Sequence, residues 1–159
     1  MIRDAWKELW RIIKIMNYIR MSEKDLDIIT SLYVKYYNEN EDGIWTFKKA
    51  YKRIRQVLLT PDSYCLIQEI NGLYTGFLMG YIKEYDDLKS YFLEEIVVFK
   101  DFQDKGLGFL LINELERQLL DLDISMIELM SVNDTKHLHF YEKFSFEKST
   151  NLLVMSKFL

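Results

Sequence analysis

The stretch SYFLEEIVVFKDFQDKGLGFLLINELERQLLDL, residues 90–122, decides the fold. Its first ten residues are mostly apolar, which predicts a strand at the centre of a sheet. A charged loop with the sequence KDFQDKG follows, and leucines then recur at helical spacing, at Leu107, Leu110, Leu111, Leu115, Leu119 and Leu122. The stretch therefore predicts a strand, a glycine-containing loop and an amphipathic helix.

Two glycines, Gly106 and Gly108, lie where this loop becomes the helix. A helix amino terminus exposes unpaired N–H groups and carries a partial positive charge. Because glycine has no side chain, the backbone there can approach an anion closely, and phosphate is the expected ligand. The same glycines also fit a tight turn with no ligand. A P-loop is excluded, because the chain has no GK[ST] sequence, and a dinucleotide-binding fingerprint fits poorly, because Leu111 occupies its third glycine position.

Elements on either side of this stretch follow from hydrophobic spacing and capping residues. Ser22 and Asp25 form a capping box, Thr46 caps a further helix, and Asn71-Gly72 suits a type I′ hairpin turn. The predicted elements are a helix over 4–15, a strand over 16–21, helices from about 22 and 46, a hairpin around 71–72, the strand 90–99, the helix from 107, a strand over 125–132, a short helix over 135–144 and a last strand pair within FSFEK and LLVMSKFL. This order predicts a mixed sheet with helices on both faces.

Composition and charge narrow the class of protein. The chain has 159 residues, of which 49% are hydrophobic, so one domain with a substantial core is expected. The single cysteine, Cys65, cannot form an internal disulfide, which indicates a reducing compartment. A net charge of −4 argues against nucleic acid as the main partner. Apolar runs such as FLMGYI are too short to cross a membrane, and the amino terminus does not resemble a signal peptide, so a cytoplasmic protein with no membrane partner is expected.

These pieces resemble the GNAT N-acetyltransferase superfamily. The family's pyrophosphate loop, R/Q-x-x-G-x-G/A, matches QDKGLG at 103–108. A second signature, an Asn followed by a helix with F-Y-x-K-x-G-F, matches Asn133 and FYEKFSF at 140–146. The chain departs from it in two places. Ser145 replaces the glycine, and Asn133 lies one residue further from Tyr141 than the family usually shows, so either a residue is inserted or Asp134 takes the Asn position.

The resemblance implies an α/β (α+β) fold in which a mixed, largely antiparallel sheet of six to seven strands has helices on both faces. It implies a single acetyltransferase domain over 1–159, with 1–16 as an N-terminal helical extension. The implied activity is transfer of acetyl from acetyl-CoA to a primary amine of a small molecule by direct attack, with no metal. The alternatives are a non-catalytic acetyl-CoA sensor of the same fold and an enzyme that acetylates protein amino termini.

The resemblance also assigns donor-binding residues. They lie at the end of the strand, in the loop, in the first helical turn and before the last helix: Ile96, Val97, Val98, Gln103, Asp104, Lys105, Gly106, Leu107, Gly108, Phe109 and Asn133. The resemblance further implies that main-chain N–H groups around Val98 donate to the developing oxyanion.

Acetyl transfer to an amine requires a base. An alkylammonium has a pKa near 10.4, so reaching the neutral form at pH 7 costs roughly 4–5 kcal/mol. Glu94 and Glu95 lie in an otherwise apolar strand, and strict alternation would send them to opposite faces, so at most one would face the acceptor. The resemblance favours Glu94, although both could instead pair with neighbouring cations. Tyr141 is the expected proton donor to the departing thiolate, the alternative being an aromatic packing residue.

Other features leave alternatives open. The acidic run 39–42 could attract a cationic amine, but the next helix carries five basic residues between 48 and 55. His137 and His139 lie two residues apart with no ligand-spaced partners, which disfavours a metal. The apolar stripe of the first helix either packs into the core or contacts a second copy in a homodimer, and it comprises Trp6, Leu9, Trp10 and Ile13.

Overall fold

The computed structural model describes the backbone of residues 2–159 and the side chains of residue 7 and residues 10–159. The elements in chain order are α1 (Ile2–Ile15), β1 (Met16–Arg20), α2 (Leu26–Asn40), α3 (Phe47–Leu58), β2 (Leu66–Ile70), β3 (Leu73–Glu84), β4 (Lys89–Val98), α4 (Leu107–Leu120), β5 (Met126–Leu129) and α5 (Thr135–Glu142). Two short 3-10 turns, Glu23–Asp25 and Lys100–Phe102, precede α2 and α4.

The capping residues act as predicted. The Ser22 N–H donates to the Asp25 carboxylate at 2.9 Å, which closes the capping box ahead of α2. Thr46 Oγ1 accepts a bond from the Lys49 N–H, and the hairpin turn has positive φ at Asn71 and Gly72. The sequence therefore places the starts of these elements correctly.

The sheet has five strands in the order β1-β2-β3-β4-β5. The first four pair antiparallel and β5 joins β4 in parallel, so the predicted mixed, largely antiparallel sheet is confirmed. The prediction of six to seven strands is not. In residues 2–159, the segments FSFEK and LLVMSKFL form no strand, and the side chains of Leu153 and Phe158 are 89% and 98% exposed. Apolar, β-prone residues form a strand only where another strand pairs with them.

The chain divides into two compact units, Met1–Leu129 and Met130–Leu159. In the first unit, α2 and α3 cover one face of the sheet with a shared core that includes Ile29, Ile54, Phe77 and Met79. Alternate strand residues point to the other face, which α4 covers, as the bond from the Tyr18 hydroxyl to the α4 backbone shows. The predicted placement of helices on both faces is confirmed within this unit.

The stripe on α1 does not reach the core at its described end. Trp10 is 61% exposed and Ile13 is 40% exposed. The side chains of Trp6 and Leu9 lie outside the described residues.

The second unit contains α5, whose N-cap is Asp134: its carboxylate accepts from the His137 N–H at 2.8 Å. The helix ends in a turn in which Ser145 has φ 61°. That is the left-handed conformation for which the family motif carries glycine.

Replacing Ser145 with glycine should therefore stabilise the protein by about 1 kcal/mol, because glycine adopts a positive φ without the steric cost of a Cβ atom. Urea unfolding followed by circular dichroism measures this gain. Ser145→Ala is the matched control and should give none, since alanine keeps the Cβ atom. Equal stability of the glycine and alanine variants would contradict the prediction.

Candidate active site

A β-bulge in β4 organises the candidate site. Leu93 pairs with Gly80 and Glu95 pairs with Met79, so Glu94 is the extra residue. A Cβ atom on Gly80 would collide with the Phe92 carbonyl oxygen, which explains the glycine opposite the bulge. The bulge also breaks strict alternation. The expectation that the two glutamates face opposite sides of the sheet is wrong, because both reach the helices α2 and α3.

Glu94 makes an ion pair with α3. The Arg53 guanidinium donates from Nη2 to Glu94 Oε2 at 2.7 Å, and the Glu94 side chain is only 19% exposed. The pairing of a strand glutamate with a neighbouring cation, one of the alternatives from the sequence, thus occurs at Glu94. A carboxylate held by a guanidinium has part of its proton-accepting capacity already occupied.

Glu95 is held by two phenols of α2. The Tyr37 hydroxyl donates to Glu95 Oε1 at 2.8 Å and the Tyr33 hydroxyl donates to Oε2 at 3.3 Å. Burial raises the pKa of Glu95, an effect that the tyrosine hydrogen bonds and the charge of Arg53 partly oppose. Burial beside the carboxylate also raises the pKa of both tyrosines, so they stay protonated near neutral pH. Glu95 is therefore a partly buried carboxylate with oriented donors.

Beyond the bulge, one edge of β4 pairs with β3 and the opposite edge pairs with no described strand. The β4–β5 pairing extends from Ser90 to Leu93, and no strand within residues 2–159 pairs with the same edge over 94–98. Ile96, Val97 and Val98, which the sequence assigned to donor binding, lie in this segment. Backbone N–H and C=O groups on an unpaired strand edge can bind an extended, amide-containing ligand.

The loop after β4 ends at the start of α4. Gly106 is the N-cap of α4 with φ 77°, and a Cβ atom placed on it would meet no atom within 4 Å. Asp104 also has a positive φ, of 60°. The first turn of α4 thus has an open approach at Gly106, and both the backbone conformation and the space fit the diphosphate of a coenzyme A molecule.

The predicted loop residues have different contacts. Gln103 donates from Nε2 to the Val98 carbonyl at 2.8 Å and to the Tyr36 hydroxyl at 3.1 Å, so it links the end of β4 to α2. Lys105 donates from Nζ to the Asp101 carbonyl at 2.8 Å. These side chains order the loop, so the groups expected to bind an anion here are backbone N–H groups.

The first turn of α4 carries the remaining predicted residues of this unit. Leu107 is buried against the sheet, Gly108 is partly exposed, and Phe109 is 45% exposed. Leu107 could therefore contact a ligand through its backbone atoms but not through its side chain.

Asn133 and Tyr141 belong to the second unit. Asn133 is exposed and precedes the N-cap Asp134. Tyr141 lies on α5 with its ring centroid 5.5 Å from that of Phe146, in an edge-to-face contact.

In the part of the chain that the structure describes, no group of three or more His, Cys, Asp or Glu side chains could hold a metal ion. No helix within residues 2–159 is long and apolar enough to cross a membrane.

Three residues of the site were not identified from the sequence as site residues. Tyr33 and Tyr37 bind Glu95, and Arg53 binds Glu94. The available signal was their position: Tyr33 and Tyr37 are four residues apart on α2, and Arg53 adjoins the buried Ile54 on α3. These positions indicate that each side chain faces the sheet, but they do not identify Glu94 or Glu95 as its hydrogen-bond partner.

The family model and the protein relative that match this chain are both acetyltransferases. The model of the acetyltransferase (GNAT) family matches residues 26–146. An uncharacterised N-acetyltransferase from Methanocaldococcus jannaschii is 26% identical over 158 residues, which is 92% of this chain and 67% of that protein.

Two solved structures share the fold. A possible acetyltransferase from Clostridium difficile has a TM-score of 0.77 at 15% identity, covering 91% of this chain and 99% of that one. An aminoglycoside N-acetyltransferase in complex with CoA has a TM-score of 0.70 at 17% identity, covering 89% and 94%.

Proposed function

Because this chain belongs to the GNAT acetyltransferase family and is an acyltransferase, we propose that it transfers acetyl from acetyl-CoA to a primary amine of a small molecule by direct attack. The observation that carries the proposal is the bulge in β4. It presents a partly buried Glu95, held by two tyrosines, beside a strand segment with one unpaired edge, and the same strand leads into the open amino terminus of α4.

The donor is proposed to bind along this strand and loop. Backbone groups of 96–98 would hold its amide-containing arm, and the N–H groups around Gly106 and Gly108 would hold its diphosphate. When bound, acetyl-CoA supplies the acetyl thioester. The main-chain N–H groups near Val98 are the proposed donors to the oxyanion, as the family resemblance implies.

Glu95 is the proposed general base. The acceptor amine must lose a proton as it attacks, and a carboxylate whose pKa is raised by burial accepts that proton more readily than an exposed one. Tyr33 and Tyr37 fix its orientation. The sequence favoured Glu94 as the base, and that assignment stays a prediction. The ion pair of Glu94 with Arg53 supports a structural role instead, in which Glu94 stabilises the bulge and balances the charge of Arg53.

Removing one of these donors should shift the pH dependence. In Tyr37→Phe, Glu95 loses a hydrogen bond that stabilises its charged form, so its pKa rises further. Because the base acts as the carboxylate, the acidic limb of kcat/KM should move to higher pH, and activity should fall more at pH 6 than at pH 9. Tyr36→Phe, which removes a hydroxyl bonded to Glu41 and Gln103 rather than to Glu95, is the adjacent control and should leave the limb unmoved. An unshifted profile in Tyr37→Phe would contradict the role of Glu95.

The acceptor class follows from charge. Arg53 already neutralises Glu94, and α3 carries further exposed cations, among them Lys48, Lys49 and Lys52. This pattern favours an amine of low total charge over a polycation. The aminoglycoside N-acetyltransferase with the same fold shows only that the fold can serve a small-molecule amine.

Thiol release from acetyl-CoA across a panel of monoamines, polyamines, an aminoglycoside and a peptide amino terminus tests the proposal. Turnover with a small amine is the expected result. Binding of acetyl-CoA with no turnover on any acceptor would instead support a sensor, and turnover on the peptide alone would support an enzyme for protein amino termini.

Further parts of the proposal concern the whole chain. Tyr141 is proposed to donate a proton to the departing thiolate, and Asn133 to contact the donor, both by the family resemblance. We propose one acetyltransferase domain over 1–159, with 1–16 as an extension, working in the cytoplasm without a metal, a membrane or a nucleic acid as partner. The exposed Trp10 leaves α1 as the proposed contact of a homodimer.

A further inference from the structure

Gln68 is a fully buried polar side chain in β2 that the proposed chemistry does not use. Its amide nitrogen donates to the backbone carbonyl of Leu107 at 3.0 Å, in the first turn of α4. Its amide oxygen accepts from the Thr75 hydroxyl at 3.0 Å. A buried amide is costly unless its hydrogen bonds are made, so the partners of Gln68 fix its orientation.

The sheet holds α4 at a second point one turn further along. The Tyr18 hydroxyl, on β1, donates to the Leu110 carbonyl at 3.1 Å. Burial raises the pKa of Tyr18, so the phenol keeps its proton near neutral pH. Two side chains of the sheet therefore contact backbone carbonyls within the first four residues of α4.

The bond to Leu107 acts directly on one of the N–H groups expected to bind the diphosphate. The Leu107 carbonyl and the Gly108 N–H belong to the same planar peptide group and point in opposite directions. A donor that holds the carbonyl therefore also fixes the direction of the N–H. The Gly108 N–H is among the first four of the helix, which have no partner within the helix.

We propose that Gln68 is a positioning residue for the donor: from inside the sheet it orients the Leu107–Gly108 peptide so that the Gly108 N–H faces the diphosphate of coenzyme A. This rests on the proposed function only in that the chain binds acetyl-CoA. Thr75 orients Gln68, since its single hydroxyl proton is shared between the Gln68 amide oxygen at 3.0 Å and the Gln68 backbone carbonyl at 3.2 Å. Gln68 touches neither the donor nor the acceptor.

The test replaces Gln68 with methionine, which keeps the length and unbranched shape of the side chain but cannot donate. Calorimetry with coenzyme A should show a dissociation constant raised about tenfold, the loss of one well-directed hydrogen bond to a charged group. Pantetheine, which lacks the nucleotide diphosphate, should bind the variant and the parent equally. In steady-state assays, kcat/KM should fall with acetyl-CoA and stay unchanged with acetyl-pantetheine, while the KM for the amine stays the same.

Gln118→Met is the matched control. Gln118 lies near the other end of α4 and bonds Glu114 and Tyr64, so the same substitution there should leave coenzyme A binding unchanged. Equal losses for coenzyme A and pantetheine in Gln68→Met would mean a general structural defect, and an unchanged coenzyme A affinity would also overturn the proposal. If the parent protein binds no coenzyme A, the proposed function itself fails, and that result is distinct from either outcome.

Discussion

Glu95→Gln should lower kcat/KM for the acceptor amine about 100-fold or more at pH 7, because a positioned general base contributes at least about that factor. Glutamine keeps the size of the side chain, but its amide has a single oxygen and so accepts from only one of Tyr33 and Tyr37, and it cannot take a proton from the amine. The dissociation constant for coenzyme A should change less than about threefold, since the groups that we propose bind the donor are backbone N–H groups. Steady-state kinetics and calorimetry on the same preparation separate the two effects.

Folding provides an internal control for this variant. Because burial raises the pKa of Glu95 in the folded state, the native protein loses stability as pH rises from the ordinary carboxyl pKa through the raised one. The neutral glutamine does not titrate, so Glu95→Gln should be at least as stable as the parent at pH 8.

Glu94→Gln is the matched comparison, one residue away on the bulge. It should cost less activity than Glu95→Gln, because it removes the partner of Arg53 and leaves the proposed base in place. A larger loss in Glu94→Gln would assign the base to Glu94, the residue that the sequence favoured.

Gly106→Val should weaken coenzyme A binding about 100-fold, the value of two hydrogen bonds to a charged group. Valine disfavours the positive φ of this position and fills the space in front of the helix amino terminus. Calorimetric titration of coenzyme A measures the effect, and the amine KM should change little.

Gly72→Val separates strain from ligand contact. Gly72 has φ 80° and is as open as Gly106, but it lies in the β2–β3 hairpin turn. The two valine variants should lose similar stability in urea, and only Gly106→Val should lose coenzyme A affinity. Equal affinities in the two variants would place the diphosphate elsewhere.

The features read correctly from the sequence are local ones. The capping box at Ser22, the turn at Asn71 and the loop that leads into α4 at Gly106 each depend on a few adjacent residues. The types and spacing of those residues largely determine such structures, with little contribution from distant segments. The family motif lies on one of them, so the conformation of the loop that we propose binds an anion could be predicted.

The errors concern pairing between distant segments. A bulge depends on the register between β3 and β4, so alternation within β4 could not show that Glu94 and Glu95 share a face. The contacts of Tyr37 with Glu95 and of Gln68 with Leu107 join residues 58 and 39 positions apart. The last strands were expected from apolar composition, which does not supply a pairing partner.

Titration of the isotope-labelled protein with coenzyme A, followed through backbone amide resonances, tests the central claim most directly. The N–H signals of Gly106, Leu107 and Gly108 should shift more than those of the Gly72 turn, and saturate at the same concentration as the calorimetric heat. Binding that leaves these three signals in place, or no binding at all, would contradict the assignment of the donor site to the amino terminus of α4.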